Sequence, residues 1–131
     1  MTSSRKNISS GGLWETKVGY SRAVRVGDII VVAGTTATDS QGNVIGINDA
    51  YTQTKVILEK IGESLKRAGA SMKDVVRTRM FVTDIGRWDE IGRAHGEVFG
   101  NIRPASTLIE VKGLITKDTL VEIEVEAIIS D

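Results

Sequence analysis

Hydrophobic and polar residues alternate with a period of two in several stretches of this chain, a pattern that predicts strands with one buried face. The clearest alternating stretches are Tyr20 to Val26, Val75 to Val82 and Leu120 to Ile129. The β-branched run Ile29 to Val32 follows the first stretch directly after Gly27 and Asp28. Two such runs separated by a short turn predict a β-hairpin.

The spacing of apolar residues changes to that of a helix in two segments. From Tyr51 to Ala68, apolar residues recur every three or four positions, while charged residues occupy the other face. Asn48 or Asp49 can cap the start of this helix, and Gly69 can take the left-handed conformation that ends it. A second, shorter helix is predicted between Asp84 as cap and Gly100 as the stop.

The only proline, Pro104, lies between the second helical pattern and another β-like run. Proline cannot continue a helix, and it biases the preceding Arg103 toward an extended conformation. We therefore expect a strand to start just after Pro104. The polar pair Ser106 and Thr107 would then lie at the mouth of that strand, which makes both residues candidates for ligand binding.

The predicted elements follow one another in the order β-β-α-β-α-β-β, which is typical of an α/β sandwich. No repeat, linker or low-complexity block interrupts them, so residues 1–131 are expected to form one domain. The Ser- and Gly-rich residues 1–12 are interpreted as a flexible lead-in. Two helices can cover only one face of a five-stranded sheet, so the other face must meet solvent or another subunit.

Composition narrows the classes of function. The chain has no cysteine, which excludes disulfides, zinc thiolates and thiol nucleophiles. Its 17 basic and 17 acidic residues offer no general attraction to nucleic acid or to an anionic membrane. The N-terminus lacks the apolar core of a signal peptide, and the longest apolar run, Ile29 to Ala33, is too short to span a bilayer. We expect a cytoplasmic protein that binds neither nucleic acid nor membrane.

Three glutamates, Glu122, Glu124 and Glu126, share the polar face of the last predicted strand. The first interpretation is a solvated face of an antiparallel strand. A second is that one glutamate reaches a cleft and orients or deprotonates water. A third is a cross-strand ladder with Arg77 and Arg79, which share one face of their own strand.

Two further side chains, His95 and Ser106, are of types that can act as catalytic or metal-binding groups. His95 is the only histidine and lies on the apolar side of the second helix. No other residues with ligand spacing accompany it, so it is interpreted as a core or interface histidine, and neither a metal nor another cofactor is predicted. Ser106 lacks the glycine pattern of a nucleophile elbow, and the sequence places no base beside it.

Several separated motifs, occurring in one order, resemble the RidA/YjgF family. These motifs are GYSRAVRVGDIIVVAGTTATD, FVTDI, RPASTLIEVKGL and LVEIEVEAI. The resemblance covers nearly the whole chain, from Lys17 to Ile129. It implies a chorismate-mutase-like α+β fold and a homotrimer in which the uncovered sheet faces form a central barrel. It also implies ligand clefts that lie between subunits.

The best-known members of that family hydrolyse reactive 2-enamino and 2-imino acids to 2-oxo acids and ammonia. By this resemblance, Tyr20 matches a tyrosine near the start of the first strand, and Gly34 matches the glycine at the end of the second. Glu124 matches the glutamate thought to position water. The resemblance therefore implies that Glu124 and Tyr20 are catalytic and that the Gly34 backbone helps to hold the ligand.

One position departs from the family pattern. Deaminating members carry, after Pro-Ala, an arginine that grips the substrate carboxylate, and this chain has Ser106 there. A guanidinium offers a charged, bidentate fork, whereas a serine hydroxyl offers one neutral donor, so the same anchor cannot operate. Arg103 and Arg22 are the candidate replacements, and Thr107 is a further candidate for substrate binding.

The sequence and the resemblance together predict a candidate deaminase, a hydrolase of imine or enamine metabolites whose substrate is altered. Two other hypotheses remain, a non-catalytic protein that binds or senses a small metabolite and an RNA-acting translation inhibitor. The balanced charge argues against the RNA hypothesis. The expected partners are the other subunits of a homotrimer and a small-molecule ligand such as a carboxylate.

Overall fold

The computed structural model describes residues 4–130 as a six-stranded mixed sheet with three helices. The strands are β1 (Arg5–Ile8), β2 (Ala23–Val26), β3 (Ile29–Thr35), β4 (Val75–Val82), β5 (Ala105–Glu110) and β6 (Val121–Ile128). The helices are α1 (Leu13–Val18), α2 (Ala50–Arg67) and α3 (Trp88–Phe99). Short 3₁₀ turns cover Met72–Asp74 and Ile85–Arg87.

The strand order across the sheet is β1-β2-β3-β6-β4-β5. Neighbouring strands are antiparallel except for β4 and β5, which are parallel and are connected through α3. A parallel pair needs a crossover connection of this kind. The last strand, β6, lies in the middle of the sheet, so each of its side chains has a neighbouring strand on both sides.

The helices α2 and α3 pack on one face of the sheet. The side chain of Asp49 caps α2 by accepting a hydrogen bond from the backbone N–H of Thr52, and Gly69 follows the helix with a φ of +85°, as predicted. The apolar stripe of α2 packs against the inward-facing residues of the central strands. Buried members of this core include Val32, Ile57, Ile61, Val82, Val121 and Ile123.

The opposite face of β3, β6, β4 and β5 is not covered by α2 or α3, and we call it the open face. The strand register places charged and apolar residues on it side by side. Its members include Val31, Arg77, Arg79, Phe81, Thr107, Ile109, Glu122, Glu124 and Glu126. The side chains of Val31 and Ile109 are 48% and 46% exposed. The predicted sheet with helices on one face is therefore confirmed.

The flexible lead-in predicted for residues 1–12 is wrong where the chain forms β1. This strand pairs antiparallel with β2, and Ile8 at its end is 3% exposed. Residues 1–3 of the predicted lead-in lie outside the described part of the chain. The four residues of β1, RKNI, contain one apolar side chain and therefore show no alternation from which a strand could be predicted.

The extended conformation predicted for Arg103 is also wrong, because its φ is +57°. The backbone N–H groups of Arg103 and Ile102 both donate to the carbonyl oxygen of Phe99, at 2.8 and 3.0 Å. These bonds end α3 in a left-handed turn of the kind that commonly terminates helices. Pro104 follows this turn, and β5 begins at Ala105, as predicted.

Candidate functional site

A carboxylate lies against the backbone of β3 on the open face. The pairing of β3 with β6 is regular from Ile29 to Val32 and shifts its register before Thr35. Gly34 lies in this irregular segment, and the Glu122 carboxylate of β6 packs against it. A Cβ atom at position 34 would overlap that carboxylate, so only glycine leaves room for it. The irregular pairing and the glycine thus fix the position of Glu122.

Arg22 connects Gly34 with Tyr20. Its Nη2 donates a hydrogen bond of 2.6 Å to the Gly34 carbonyl oxygen, and its guanidinium carbon lies 5.7 Å from the centre of the Tyr20 ring. The second distance allows a cation–π interaction. The Nε of Arg22 is buried and has no hydrogen-bond partner among residues 4–130. We call Tyr20, Arg22, Gly34 and Glu122 the Glu122 cluster.

Tyr20 gives this cluster an accessible side. It follows the left-handed Gly19 that ends α1, and its backbone N–H donates to the carbonyl oxygen of Glu15 at 2.9 Å. The Tyr20 side chain is 39% exposed and lines an open depression of about 500 Å³. Asn7 and Val24 line the same depression. A small molecule in it would contact the Tyr20 ring.

The Glu122 carboxyl has an unusual electrostatic environment. Burial raises its pKa above the ordinary value, the nearby Arg22 charge lowers it, and the negative charge of Glu124 raises it again, so that the net direction is upward. No salt bridge of Glu122 occurs among residues 4–130. A partly desolvated carboxylate without an ion pair is a stronger base than a free one, which suits proton transfer.

A second charged group occupies the open face nearer to β5. The Nη1 of Arg79 lies 3.2 Å from Oε1 of Glu124 and 3.1 Å from Oε1 of Glu126. Arg79 is paired with Glu124 on one side and with Thr107 of β5 on the other. We call these four residues the Arg79 cluster. The cross-strand ladder proposed from the sequence is confirmed for Arg79, whereas Arg77 forms no salt bridge in the described part of the chain.

Ser106 lies on the helix-covered face and belongs to a chain of hydrogen bonds. It is paired with Thr78 of β4, whose Oγ1 donates to Ser106 Oγ at 2.8 Å and lies 2.9 Å from His95 Nε2. Thr78 is fully buried, and the half-buried His95 ring packs against Phe99 at 4.7 Å between ring centres. Burial lowers the pKa of His95, so the ring is neutral near pH 7. His95 is therefore half-buried against the core, and its interpretation as a core or interface histidine stays a prediction.

The predicted site residues therefore fall into separate places within one chain. Tyr20 and Gly34 lie together in the Glu122 cluster. Thr107 and Glu124 lie together in the Arg79 cluster, whereas Ser106 lies on the opposite face because successive strand residues alternate. Arg103 is exposed in the turn before Pro104.

Sequence reasoning missed the distinct position of Glu122 and gave Thr78 no role. The period of two shows that three glutamates share a face, but it does not show which of them meets the irregular segment of β3. For Thr78 a signal existed. A hydroxyl at an inward position between apolar residues such as Met80 and Val82 must find a partner, because buried polar groups are almost always hydrogen-bonded.

Two features are absent from the described residues. Among residues 4–130, no group of three or more His, Asp or Glu side chains is arranged to hold a metal ion. In the same part of the chain, no helix is both long and apolar enough to cross a membrane.

A mixed six-stranded sheet with helices on one face and a polar open face defines a chorismate-mutase-like α+β domain. The model of the family described as Endoribonuclease L-PSP matches residues 14–129. The chain therefore belongs to this family, which is the RidA/YjgF family. The predicted fold class and the predicted family are both confirmed.

Three similar proteins illustrate the relationship. The crystal structure of Rv2704 from Mycobacterium tuberculosis, a member of the YjgF/YER057c/UK114 family, superposes with a TM-score of 0.88 at 48% identity and covers 96% of this chain and 100% of that chain. An uncharacterized protein of Streptomyces coelicolor is 41% identical over 123 residues, 93% of this chain and 90% of that protein. The 3-aminoacrylate deaminase RutC of Acinetobacter baylyi is 35% identical over 104 residues, 79% of this chain and 82% of that protein.

Proposed function

We propose that this protein is a deaminase that hydrolyses imine or enamine metabolites to carbonyl compounds and ammonia, with a substrate altered by Ser106. Similarity to a 3-aminoacrylate deaminase supports the type of reaction. The observation that carries the proposal is the half-buried Glu122 carboxyl, which lies against Gly34, is free of any described ion pair and has a raised pKa. Such a group can bind a water molecule and accept its proton.

The chemistry needs few groups. As a water oxygen adds to the imine carbon, the Glu122 carboxylate accepts one water proton and passes it to the imine nitrogen, which gives a neutral carbinolamine. Glu122 then accepts the proton of the carbinolamine hydroxyl and delivers it to the nitrogen, so that the C–N bond breaks, ammonia leaves and a carbonyl group forms. Tyr20 and the Gly34 backbone hold the substrate beside this carboxylate, and Arg22 positions that backbone through its hydrogen bond to the Gly34 carbonyl oxygen.

In this proposal Glu122 positions the water molecule, a role that the family resemblance suggested for Glu124. Two short contacts tie Glu124 and Glu126 to Arg79. A carboxylate held in a charge-assisted hydrogen bond to a guanidinium is less free to bind a water molecule. Glu124 still acts on its neighbour, because its negative charge raises the pKa of Glu122. Catalysis by Glu124 is the alternative, and the comparison of Glu122→Gln with Glu124→Gln decides between the two glutamates.

We also propose a homotrimer with the ligand cleft between subunits. Tyr20 precedes β2, and Ser106 lies on β5, which are four strand spacings apart in the sheet. At about 4.8 Å per strand the two residues are about 19 Å apart in one chain. A small ligand that contacts both must therefore lie between two subunits. Sedimentation velocity should give three times the 14.2 kDa monomer mass, and a stable monomer would contradict this arrangement.

The reaction is tested by ammonia release from imines that a second enzyme generates in situ, with 2-aminoacrylate as the first substrate and a panel of other imines after it. Wild-type protein should accelerate release above the rate in buffer, and Glu122→Gln should not. Glu63→Gln, on the exposed face of α2, is the matched control. If no imine in the panel is hydrolysed faster with the protein than without it, the hydrolase proposal fails.

A non-catalytic binding protein is the second candidate function. It is favoured by the neutral Ser106 at the position where deaminating relatives carry a charged anchor. A ligand present at 100 times its dissociation constant should stabilise the fold by about 2.7 kcal/mol, which a thermal shift screen detects. Stabilisation without ammonia release from any imine would support this second function. The equal numbers of acidic and basic residues give no reason to propose RNA as a partner.

A further inference from the structure

The group formed by Ser106, Thr78 and His95, which we call the Ser106 cluster, contains no charged side chain. Its members are joined by contacts of 2.8 and 2.9 Å. Burial alone shifts the pKa of His95, and no neighbouring charge contributes. Arg77 and Arg79 flank Thr78 along β4, but strand alternation directs them to the open face.

The tautomer of His95 sets the direction of these hydrogen bonds, because each hydroxyl has one proton and a neutral imidazole donates through one nitrogen only. With the ring proton on Nε2, His95 donates to Thr78 Oγ1 and Thr78 donates to Ser106 Oγ. In this arrangement, which the subsite requires, the proton of Ser106 remains uncommitted within the cluster. Ser106 is exposed on β5, so this hydroxyl can donate to a ligand.

We propose that the Ser106 cluster is a subsite for an uncharged hydrogen-bond acceptor, the carbonyl group of an amide or ester. The substrate is then the imine of an amino-acid amide or ester rather than that of a free amino acid. This inference rests on the proposed function, since it describes the same substrate. A carboxylate at Ser106 would lose hydration and meet no charged member of the Ser106 cluster, whereas a neutral carbonyl loses less and accepts the same hydrogen bond.

The test compares pyruvamide with pyruvate, which have nearly the same shape and differ in carrying an amide or a carboxylate. Dissociation constants are measured on the intact protein by isothermal titration calorimetry. Wild type should bind pyruvamide at least about tenfold more tightly. Ser106→Ala should abolish this preference, and Ser106→Arg should reverse it. Ser40→Ala, an exposed serine in a loop, should leave it unchanged.

Three results would overturn the subsite. In the first, wild type binds pyruvate more tightly than pyruvamide or binds the two equally. In the second, neither compound binds detectably. In the third, Ser106→Ala still prefers pyruvamide. The proton arrangement has its own readout, since ¹⁵N NMR should show the neutral His95 ring protonated at Nε2. A ring protonated at Nδ1 would reverse the chain of donors, so that Ser106 would have to accept from the ligand, which contradicts the proposal.

Binding and turnover separate this inference from the proposed function. If wild type prefers pyruvamide but releases ammonia from no imine, the hydrolase proposal is wrong and the subsite proposal is supported. If wild type releases ammonia but prefers pyruvate, the hydrolase proposal is supported and the subsite proposal is wrong. Thr78→Val, with its fold checked by circular dichroism, should weaken the amide preference because Ser106 then loses its buried partner.

Discussion

Glu122 and Glu124 lie two positions apart on one face of β6, yet they occupy different environments. Glu124 is paired with Arg79 of β4 and lies 3.2 Å from its guanidinium. Glu122 is paired with Phe81 of β4 and packs against Gly34 of β3. One carboxylate is therefore paired with a cation, while the other is partly buried and forms no salt bridge among residues 4–130.

The comparison shows that the face of a strand and the chemistry of a site are set by different features. Alternation along β6 places both glutamates on the open face. The neighbouring strands then decide what each carboxyl can do, through one arginine on β4 and one irregular segment of β3. The Glu124 carboxylate is held in a salt bridge, and the Glu122 carboxylate forms none among residues 4–130.

The largest expected effect is on catalysis. Glu122→Gln keeps the size of the side chain and removes the base, so ammonia release should fall by about 10²–10⁴-fold, the usual contribution of general base catalysis. Glu124→Gln should reduce the rate by less than about tenfold, since it removes only a neighbouring charge. Both variants are assayed with the imine that wild type hydrolyses fastest. A greater loss in Glu124→Gln would return the catalytic role to Glu124.

A substitution at Gly34 tests the contact that positions Glu122. Gly34→Ala should lower the free energy of unfolding by about 0.5–1.5 kcal/mol, because its Cβ would force the end of the flexible Glu122 side chain into another conformation. Gly113→Ala is the matched control, since no atom lies within 4 Å of a Cβ at that position. Urea denaturation measures the free energy of unfolding of both variants. In a Glu122→Ala background the cost of Gly34→Ala should shrink, and an undiminished cost there would exclude the overlap as its cause.

The raised pKa of Glu122 predicts a pH-dependent stability difference. A carboxyl whose pKa is higher in the folded chain contributes stability below its unfolded pKa and loses that contribution as pH rises through its folded pKa. Glu122→Gln should therefore gain stability relative to wild type as pH rises above about 4.5. Urea denaturation across a pH series measures this difference. A difference that stays constant or falls with rising pH would be inconsistent with a desolvated carboxyl.

The smallest expected effect concerns the salt bridges. Their side chains are more than a third exposed, so Arg79→Met should cost only about 0.2–1 kcal/mol. Added salt should reduce this cost, because it screens the charges that the arginine neutralises. Unfolding free energies at low and high salt provide the measurement. A cost that does not respond to salt would mean that Arg79 stabilises the fold through packing instead.

The sequence predicted the regular elements better than the irregular ones. The bounds of β4 were predicted, and those of α2 within one residue at each end, because strong periodicity, Asp49 and Gly69 mark them. The strand β1 was not predicted, because it has a single apolar residue. The left-handed conformation of Arg103 was not predicted either, because the hydrogen-bonded turn that ends α3 outweighs the local effect of Pro104.

The candidate site was predictable only in part for a related reason. Strand alternation, together with the family resemblance, identified Tyr20, Gly34 and the glutamate-bearing face of β6. It could not show that the irregular segment of β3 brings Gly34 against Glu122 rather than Glu124, because this depends on the register of two strands far apart in the sequence. The partner of Ser106 is set in the same way, by its parallel pairing with Thr78.

The state of the Glu122 carboxyl is the point on which the proposed function depends. A pH titration followed by ¹³C NMR of the glutamate carboxyl carbons measures it directly, with Glu122→Gln to assign the signal. The predicted midpoint lies above the ordinary glutamate value of 4.5, because burial outweighs the attraction of Arg22. A midpoint at or below 4.5 would show a hydrated or ion-paired carboxylate and would contradict its role as the base.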